Sequence, residues 1–454
     1  MPKPPRPAPT ARTQPHSALQ DEPQAAFKAL PAAARPAASL LQQTLARLGL
    51  TGKRTMTTTT KSPATAKPLT PDADLLDIPV RDQSPEDVTA RELRGRGLFL
   101  ARQDRWAELA SELRALDQSG ELSPGGTPLA DHLAYGARSD VVLAVEEALA
   151  DHPSARTSDT ALLGGVMALE AMRQEFRSDP YINLVLAQAH IDIGWAWRGT
   201  AAPETLSKLH RHRCAAHLDR AAKLLEPFAP VTRVSPALAA AHCALLAGRQ
   251  GSPAEIASAH TALVGLDPRN FRALRALGLN LLPMRGGSHD TLELEARRVA
   301  ARTETTWGAG GYTWVCFDAI AQDPGAMARV DVDFFIDGLE DIVAIRPDQG
   351  TINLLAAYCA VTLGRQQGGD DARAEIADCA GWLIRDHLTE LHPMIWAHAA
   401  EGFDNNARVG SARRFAARGR ADALRAIADQ FRDDLDRGLR ITFTPDGPVI
   451  AQGA

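Results

Sequence analysis

Long apolar runs are missing from this chain of 454 residues, and aromatic residues make up only 5% of it. No stretch approaches the roughly 18 consecutive apolar residues that a membrane-spanning helix needs. No hydrophobic segment follows the first basic residues, as it would in a secretory signal. We therefore expect a protein that neither crosses nor binds a membrane, and we predict a cytoplasmic location.

Cysteine is also scarce, and the five cysteines are widely spaced without a CxxC pair. An odd number of separated thiols predicts neither a disulfide framework nor a zinc ligand set. We interpret them as reduced thiols in the core or on helix faces, and we predict no cofactor and no bound metal. They are Cys214, Cys243, Cys316, Cys359 and Cys379.

An excess of positive charge is absent from the chain as a whole, whose net charge is −5. Residues 1 to 75 carry ten Lys and Arg against four Asp and Glu, or +6, which leaves −11 for the remainder. A body this acidic does not attract nucleic acid or anionic lipid through its overall field. We therefore predict no nucleic-acid partner.

Alanine and leucine are abundant, and this composition favours helix over strand. Residues 1 to 80 are instead rich in Pro, Ala, Thr and Ser, so burial cannot offset the entropy of ordering them, and we predict a disordered tail. Met56 opens a segment typical of a native start, so residues 1 to 55 are open to interpretation as an upstream extension of the reading frame. An organellar transit peptide is a further interpretation of the tail.

From Ser84 onward the sequence shows recurring pairs of helices. Residues 84 to 117 begin with a helix-start signal at Ser84-Pro85. They contain two apolar runs at helical spacing, separated by residues 102 to 104. Similar pairs begin near residues 177, 234, 267 and 346.

These pairs resemble tetratricopeptide repeats, in which large apolar residues flank a small one on the first helix. The segment after Asp267-Pro268 fits every position of that pattern, and Gly278 is its small residue. Such a residue lets the partner helix approach closely, and pairs stack to bury the apolar face that each leaves open. The matching residues are Ala273, Leu274, Leu277, Gly278 and Leu281, with Leu93, Gly97 and Leu100 in the first pair.

The spacing of the repeats departs from the 34 residues usual in this family. The openings at Asp179, Asp267 and Arg346 are 88 and 79 residues apart. We therefore predict an all-α fold, a degenerate TPR-like α-solenoid of stacked antiparallel helix pairs, over residues 81 to 437.

The last segment, residues 438 to 454, breaks the helical pattern. Ile441 and Phe443 alternate with polar residues before a Pro-Asp-Gly turn. This pattern predicts a short C-terminal β-hairpin, which would cover the apolar end of the stack.

The resemblance implies a concave groove lined by the second and fifth positions of each first helix. Two pairs have arginines there, Arg91 and Arg94 in one and Arg272 and Arg275 in the other. Guanidinium groups suit the carboxylates of an acidic or C-terminal peptide. We therefore predict that the groove binds a protein or peptide partner. The asparagines of the family's carboxylate clamp are missing at the matched positions, and exposed arginines also serve solubility.

Two loops at the ends of one helix suggest a second kind of site. Pro283 ends a helix, and the loop after it resembles an L-P-x-x-G-G-S loop of bacterial helical-repeat proteins. Asp290 is expected to cap the next helix, and glycines and aromatic residues are then mixed over residues 305 to 320. If the loops lie together, they form a pocket lined by Arg285, Gly287, Ser288, Asp290, Trp307, Tyr312 and Trp314. The alternative is that both loops are ordinary turns between repeat helices.

Other clusters are better explained by structure. His210, Cys214 and His217 share a helix face that would suit a transition metal, but no carboxylate lies nearby in sequence. The acids of residues 330 to 343 oppose an apolar stripe, which predicts the solvent side of a helix. The glycines near residue 308 lack the preceding strand and the GK[ST] ending of a phosphate loop.

The sequence thus favours a non-catalytic interaction module whose groove binds a protein or peptide. Two alternatives remain open: a small-molecule-binding protein or enzyme that uses the two-loop pocket, and a structural subunit with no ligand site. An open groove would favour the first function. A closed, aromatic-lined cavity with Arg285 and Asp290 turned inward would favour the enzyme.

Overall fold

The chain is mostly helical, with one small β-sheet. The computed structural model describes residues 75–151, 160–199, 205–364, 371–401 and 411–452. No helix in these ranges is long and apolar enough to cross a membrane. The predictions for residues 1 to 74, including the disordered tail and the start at Met56, lie outside the described residues.

The helices of the first half, up to the LPMRGGS loop, follow one another with short connections. They are α1 Pro85–Arg102, α2 Trp106–Ser119, α3 Leu129–Asp151, α4 Thr160–Arg173, α5 Pro180–Arg198, α6 Lys208–Leu225, α7 Pro236–Gly248, α8 Pro253–Leu266 and α9 Phe271–Asn280. Short helical turns occupy Gln174–Phe176, Glu226–Phe228, Ala229–Thr232 and Pro283–Arg285.

The second half continues in the same way. Its helices are α10 His289–Trp307, α11 Gly310–Gln322, α12 Val332–Ile345, α13 Gln349–Ala357, α14 Asp371–Asp378, α15 Pro393–Glu401, α16 Ala412–Gln430 and α17 Arg432–Asp436. Four-residue and three-residue helical turns lie at Pro324–Met327 and Ala380–Trp382. Two π-helical segments, Tyr358–Leu363 and Leu383–His387, extend α13 and follow α14.

Side chains fix where several helices begin. The predicted start at Ser84 is confirmed, because its hydroxyl accepts from the amide of Asp87 while the Asp87 carboxylate accepts from the amide of Ser84. The prediction that Asp290 caps α10 is wrong. Ser288 is the cap, and its hydroxyl accepts from the amide of Thr291 at 3.1 Å. Ser288 directly precedes the first helical residue, and a short polar side chain at that position can reach the free amides of the first turn.

First helices of successive pairs lie side by side. The helix α1 packs against α3, α3 against α5, α5 against α7, α9 against α11, and α13 against α15. Residues in contact across these pairs are separated by similar intervals: 41 residues between Phe317 and Tyr358, and 43 between Arg275 and Asp318. The sequence intervals of 88 and 79 residues therefore each contain two structural units of about 40 residues.

The predicted close approach at the small residues is present. A Cβ atom on Gly278 would overlap the carbonyl oxygen of Val315 on α11, and one on Gly97 would overlap that of Leu133 on α3. The large residues beside Gly278 point inward, since Leu274, Leu277 and Leu281 are at most 1% exposed. Backbone contact and a dry apolar seam therefore hold neighbouring first helices together.

The C-terminal hairpin is confirmed, but the sheet contains a third strand. Strands β2 Leu439–Thr444 and β3 Gly447–Gln452 are antiparallel, and β1 Leu76–Asp77 pairs in parallel with β2 through Leu76 and Ile441. Residues 75 to 80 were predicted to belong to the tail. Leu76 and Ile78 are instead buried, because the end of the chain supplies an apolar surface that no local pattern reveals.

Candidate functional site

The four predicted groove arginines have different environments. Arg91 is exposed, and Arg94 is half-buried with its guanidinium 5.1 Å from the centre of the Tyr135 ring. Arg275 is 1% exposed and donates two hydrogen bonds to Asp318, at 2.9 and 2.7 Å. The expectation that Arg275 faces an open groove is therefore wrong, because the neighbouring α11 covers it and supplies its counter-ion.

Arg272 is buried as well, and part of its cover is a loop that lies about 150 residues earlier in the chain. This loop, residues 120 to 128, connects α2 to α3 and turns at Gly126, where φ is +74°. Arg272 donates to the carbonyl oxygen of Gly125 at 3.2 Å. Arg269 donates to the carbonyl of Gly120, and Arg346 to that of Pro124.

An aromatic side chain supports the same contact. The ring of Phe271 lies 5.5 Å from the guanidinium of Arg272 and 5.4 Å from that of Arg346. A Cβ atom on Gly126 would strike both the Phe271 ring and Arg346. The 120–128 loop is thus seated where a glycine allows its backbone to approach the aromatic ring and the cations.

Glu86 of α1 holds the loop from the opposite side. Its carboxylate accepts from the Gly125 amide at 2.7 Å, from the Thr127 hydroxyl at 3.2 Å, and lies 3.1 Å from Nε2 of His132. Burial alone would raise the pKa of Glu86. Hydrogen bonds from His132 and Ser123 and the positive charge of Arg272 outweigh burial and lower this pKa to about 2.

Glu86 belongs to a group of buried and half-buried charged and polar residues, here named the inner cluster. Burial raises the pKa of Asp131 to about 6 and lowers that of Arg272 to about 10. Burial also lowers the pKa of His132. Perturbed groups in one place are typical of functional sites. The inner cluster comprises Glu86, Arg94, Asp131, His132, Tyr135 and Arg272.

The inner cluster brings guanidinium groups together with carboxylates, an imidazole and a phenol ring. Among the described residues, no serine or cysteine side chain is hydrogen-bonded to His132, so no activated nucleophile of the usual kind is assembled there. Its guanidinium groups instead reach backbone carbonyls and an aromatic ring.

The aromatic half of the predicted two-loop pocket is part of the core. Trp307, Tyr312 and Trp314 are each at most 2% exposed. The indole of Trp307 donates to the carbonyl of Pro268 at 2.7 Å, and the Trp314 ring stacks on Phe271 at 4.4 Å. These rings fill the space between helices.

The loop half of that pocket lies elsewhere. Gly287 touches the backbone of Leu281, so a Cβ atom there would overlap its carbonyl oxygen. Asp290 is exposed and pairs with Arg329. The helix α10, with 19 residues, separates the loop from Trp307 by about 28 Å at 1.5 Å per residue. The prediction of one pocket is therefore wrong, because Trp307 and the loop lie at opposite ends of α10, and Tyr312, which donates to Glu293 near the start of that helix at 2.7 Å, is fully buried in the core.

The histidines of α6 form a different arrangement from the predicted one. His217 contacts His190 of α5, with 2.9 Å between their Nδ1 atoms, and Nε2 of His190 lies 3.2 Å from Glu170. Burial and the neighbouring His190 lower the pKa of His217 to about 4. No group of three or more His, Cys, Asp or Glu in the described part of the chain is arranged to hold a metal ion.

The sequence identified part of the inner cluster and missed the rest. Arg94 and Arg272 were predicted from their repeat positions. Glu86 and His132 were not, although Glu86 stands in the first turn of a predicted helix. Their role depends on the 120–128 loop meeting residues about 150 positions later, and no local pattern records such a contact.

Comparison with known families, with curated proteins and with solved structures finds no significant match to any of the three. The candidate site therefore rests on the geometry of this chain alone.

Proposed function

We propose that the protein is a non-catalytic interaction module, a TPR-like α-solenoid that binds a turn-forming segment of a protein or peptide through its backbone carbonyls. One observation carries the proposal: Arg269, Arg272 and Arg346 all donate to carbonyl oxygens of the 120–128 loop. The loop occupies the place that a partner segment would take. The proposed binding face contains Arg272 of the predicted groove, and the chain itself fills it.

The nature of the loop supports this interpretation. Ser123 and Thr127 close a tight turn by a 2.8 Å hydrogen bond between the Ser123 amide and the Thr127 carbonyl. The carbonyls at 120, 124 and 125 point away from the turn toward the arginines. Hydrogen bonds from a charged donor contribute about 1.5 to 3 kcal/mol each. A partner turn with the same carbonyl pattern would recover these bonds on displacing the loop.

The test uses an opened variant, in which residues 121 to 127 are replaced by a Gly-Ser linker. The probe is a fluorescent cyclic peptide with the sequence of residues 120 to 128, and binding is measured by anisotropy. We expect the opened variant to bind the peptide and the wild-type protein to bind it much more weakly, because a tethered loop competes at an effective concentration in the mM range.

Arg346→Ala in the opened variant should weaken peptide binding by about tenfold or more, since the lost bond is a charged one. Arg302→Ala, an exposed arginine outside the site, is the matched control and should have no effect. Failure of a helical, cooperatively unfolding opened variant to bind the peptide would contradict the proposal.

A small-molecule or catalytic role is the second candidate, and the perturbed groups of the inner cluster favour it over the two-loop pocket. Small carboxylates or phosphates would then raise the melting temperature of the wild-type protein. Arg272→Met should abolish that rise. A structural subunit would show neither this effect nor peptide binding.

A further inference from the structure

The outer face of α16 carries an unusual group of arginines. The opposite face buries Phe415, Ala423 and Ile427, and a Cβ atom on Gly419 would overlap the carbonyl oxygen of Pro393 on α15. This close contact fixes the rotation of α16 about its axis. Five arginines are therefore held outward: Arg413, Arg414, Arg418, Arg420 and Arg425.

Two of these arginines are paired with carboxylates. Arg418 pairs with Glu401, and Arg425 pairs with Asp422 at 3.0 Å. In the part of the chain that the structure describes, the side chains of the remaining three, Arg413, Arg414 and Arg420, form no ion pair. Arg413 and Arg420 are seven residues apart, so they lie on one side of the helix about 10 Å from each other. We name these three the basic face.

A surface of opposite charge lies on α12 and α14. The helix α12 contacts α14, and each of these helices carries exposed carboxylates, among them Glu340 on α12 and Glu375 and Asp378 on α14. The exposed acids of the two helices form no ion pair within the described ranges. This acidic face comprises Asp333, Asp337, Glu340, Glu375 and Asp378.

The two faces belong to neighbouring segments of the fold. The helix α16 packs against the Leu383–His387 segment that follows α14. A surface with adjacent patches of opposite charge is self-complementary, because a two-fold axis places each patch on its opposite in the partner. Nucleic acid fits less well, since the chain beyond residue 75 carries −11. The basic N-terminal segment, which carries +6, matches only the acidic face, whereas a second copy of the chain matches both faces.

We propose that the basic face of α16 docks onto the acidic face of α12 and α14 in a second copy of this chain, and that two copies form a symmetric, salt-sensitive dimer. The proposal is independent of peptide binding by the inner arginines. It accounts for uncompensated charge on both faces, and each partner contributes both signs. Such contacts give orientation and rate more than affinity, so the dimer should be weak and concentration-dependent.

The experiment measures mass in solution by sedimentation velocity with the full chain. At low ionic strength we expect a concentration-dependent dimer. Near 1 M salt, where the Debye length falls to about 3 Å, we expect the monomer. Two charge-reversed variants test the contact: R413E/R414E/R420E for the basic face, and D337K/E340K/E375K for the acidic face.

Each variant alone should be monomeric at low ionic strength, and an equimolar mixture of the two should form a heterodimer, because both contacts then regain opposite charges. The control variant R177E/K208E/R233E makes the same change in net charge as the basic-face variant, but at exposed positions elsewhere. It should dimerise as the wild type does.

A wild-type protein that stays monomeric at low ionic strength would overturn the proposal, as would a mixture that fails to restore the dimer. Monomeric wild type that captures a labelled polyglutamate or oligonucleotide through the same arginines would assign the basic face to a different partner.

Discussion

Gly97 and Gly278 are the points at which neighbouring first helices approach most closely. At both positions a methyl group would enter the space of a carbonyl oxygen on the next first helix. The sequence pattern predicted both residues, because the repeat requires a small side chain between large ones. Gly95, two positions before Gly97 in α1, has no atom within 4 Å of its would-be Cβ. Substitution of Gly97 therefore tests packing between helices, whereas substitution of Gly95 tests helix propensity alone.

We expect Gly97→Ala to reduce the free energy of unfolding by about 1 to 3 kcal/mol or more, because α1 must move away from α3. Gly95→Ala should raise it by about 0.5 to 1 kcal/mol, because alanine lowers the entropy cost of forming the helix and meets no neighbour. Urea denaturation of the two variants measures both effects. Equal and small changes would show that α1 and α3 are not in backbone contact.

Glu86 predicts a pH dependence of stability. Its pKa is about 2 in the folded protein and 4.5 without neighbours, so its ionised form stabilises the fold above pH 4.5. This contribution, about 3 kcal/mol at most, is lost as the pH falls from 4.5 toward 2. We expect Glu86→Gln to be less stable than wild type at pH 7 and to approach it below pH 3. Chemical denaturation across this range decides the matter, and a difference that does not vary with pH would contradict the assignment.

At the scale of elements, the ion pair between Arg275 and Asp318 joins α9 to α11 inside the protein. Helical periodicity assigned Arg275 to the groove-facing positions of its helix. It did not predict what covers that face, because an amphipathic pattern does not distinguish a polar residue in solvent from one paired across a buried interface. The same limit applies to Arg272, whose cover comes from a loop rather than from a helix.

Removal of one partner of this buried pair should lower the free energy of unfolding more than replacement of both partners by apolar residues. We expect Arg275→Met to destabilise the protein by about 3 to 5 kcal/mol, because Asp318 is left as an unpaired buried charge. Arg275→Met combined with Asp318→Leu should recover most of that loss. Denaturation of the single and double variants provides the measurement. A double variant no more stable than the single one would show that the pair is not the main interaction at this interface.

For the whole molecule, the pairing of β1 with β2 brings two distant segments together. The residues after β1 make a second long-range contact, with Leu391. The Leu391 amide donates to the Pro79 carbonyl, and the Leu391 carbonyl accepts from the Arg81 amide, each at 2.8 Å. The hairpin was predictable from its alternating residues and its turn. The third strand was not, because two residues carry no pattern and their partner lies at the other end of the chain.

A chain that begins at Ala73 should be more stable than one that begins at Ser84. The shorter chain loses Leu76 and Ile78, both nearly fully buried, and burial of each such side chain contributes about 1.5 to 3 kcal/mol. Differential scanning calorimetry of the two chains compares their melting temperatures. Identical values would mean that residues 75 to 83 do not stabilise the helical part.

The position of β1 also sets an order of events during synthesis. A ribosome releases Leu76 long before Ile441, and the 365 residues between them take about 20 to 70 s to translate at 5 to 20 residues per second. During that interval the short strand has no partner. The nascent amino-terminal segment accordingly joins the sheet only after the carboxyl-terminal strand has left the exit tunnel.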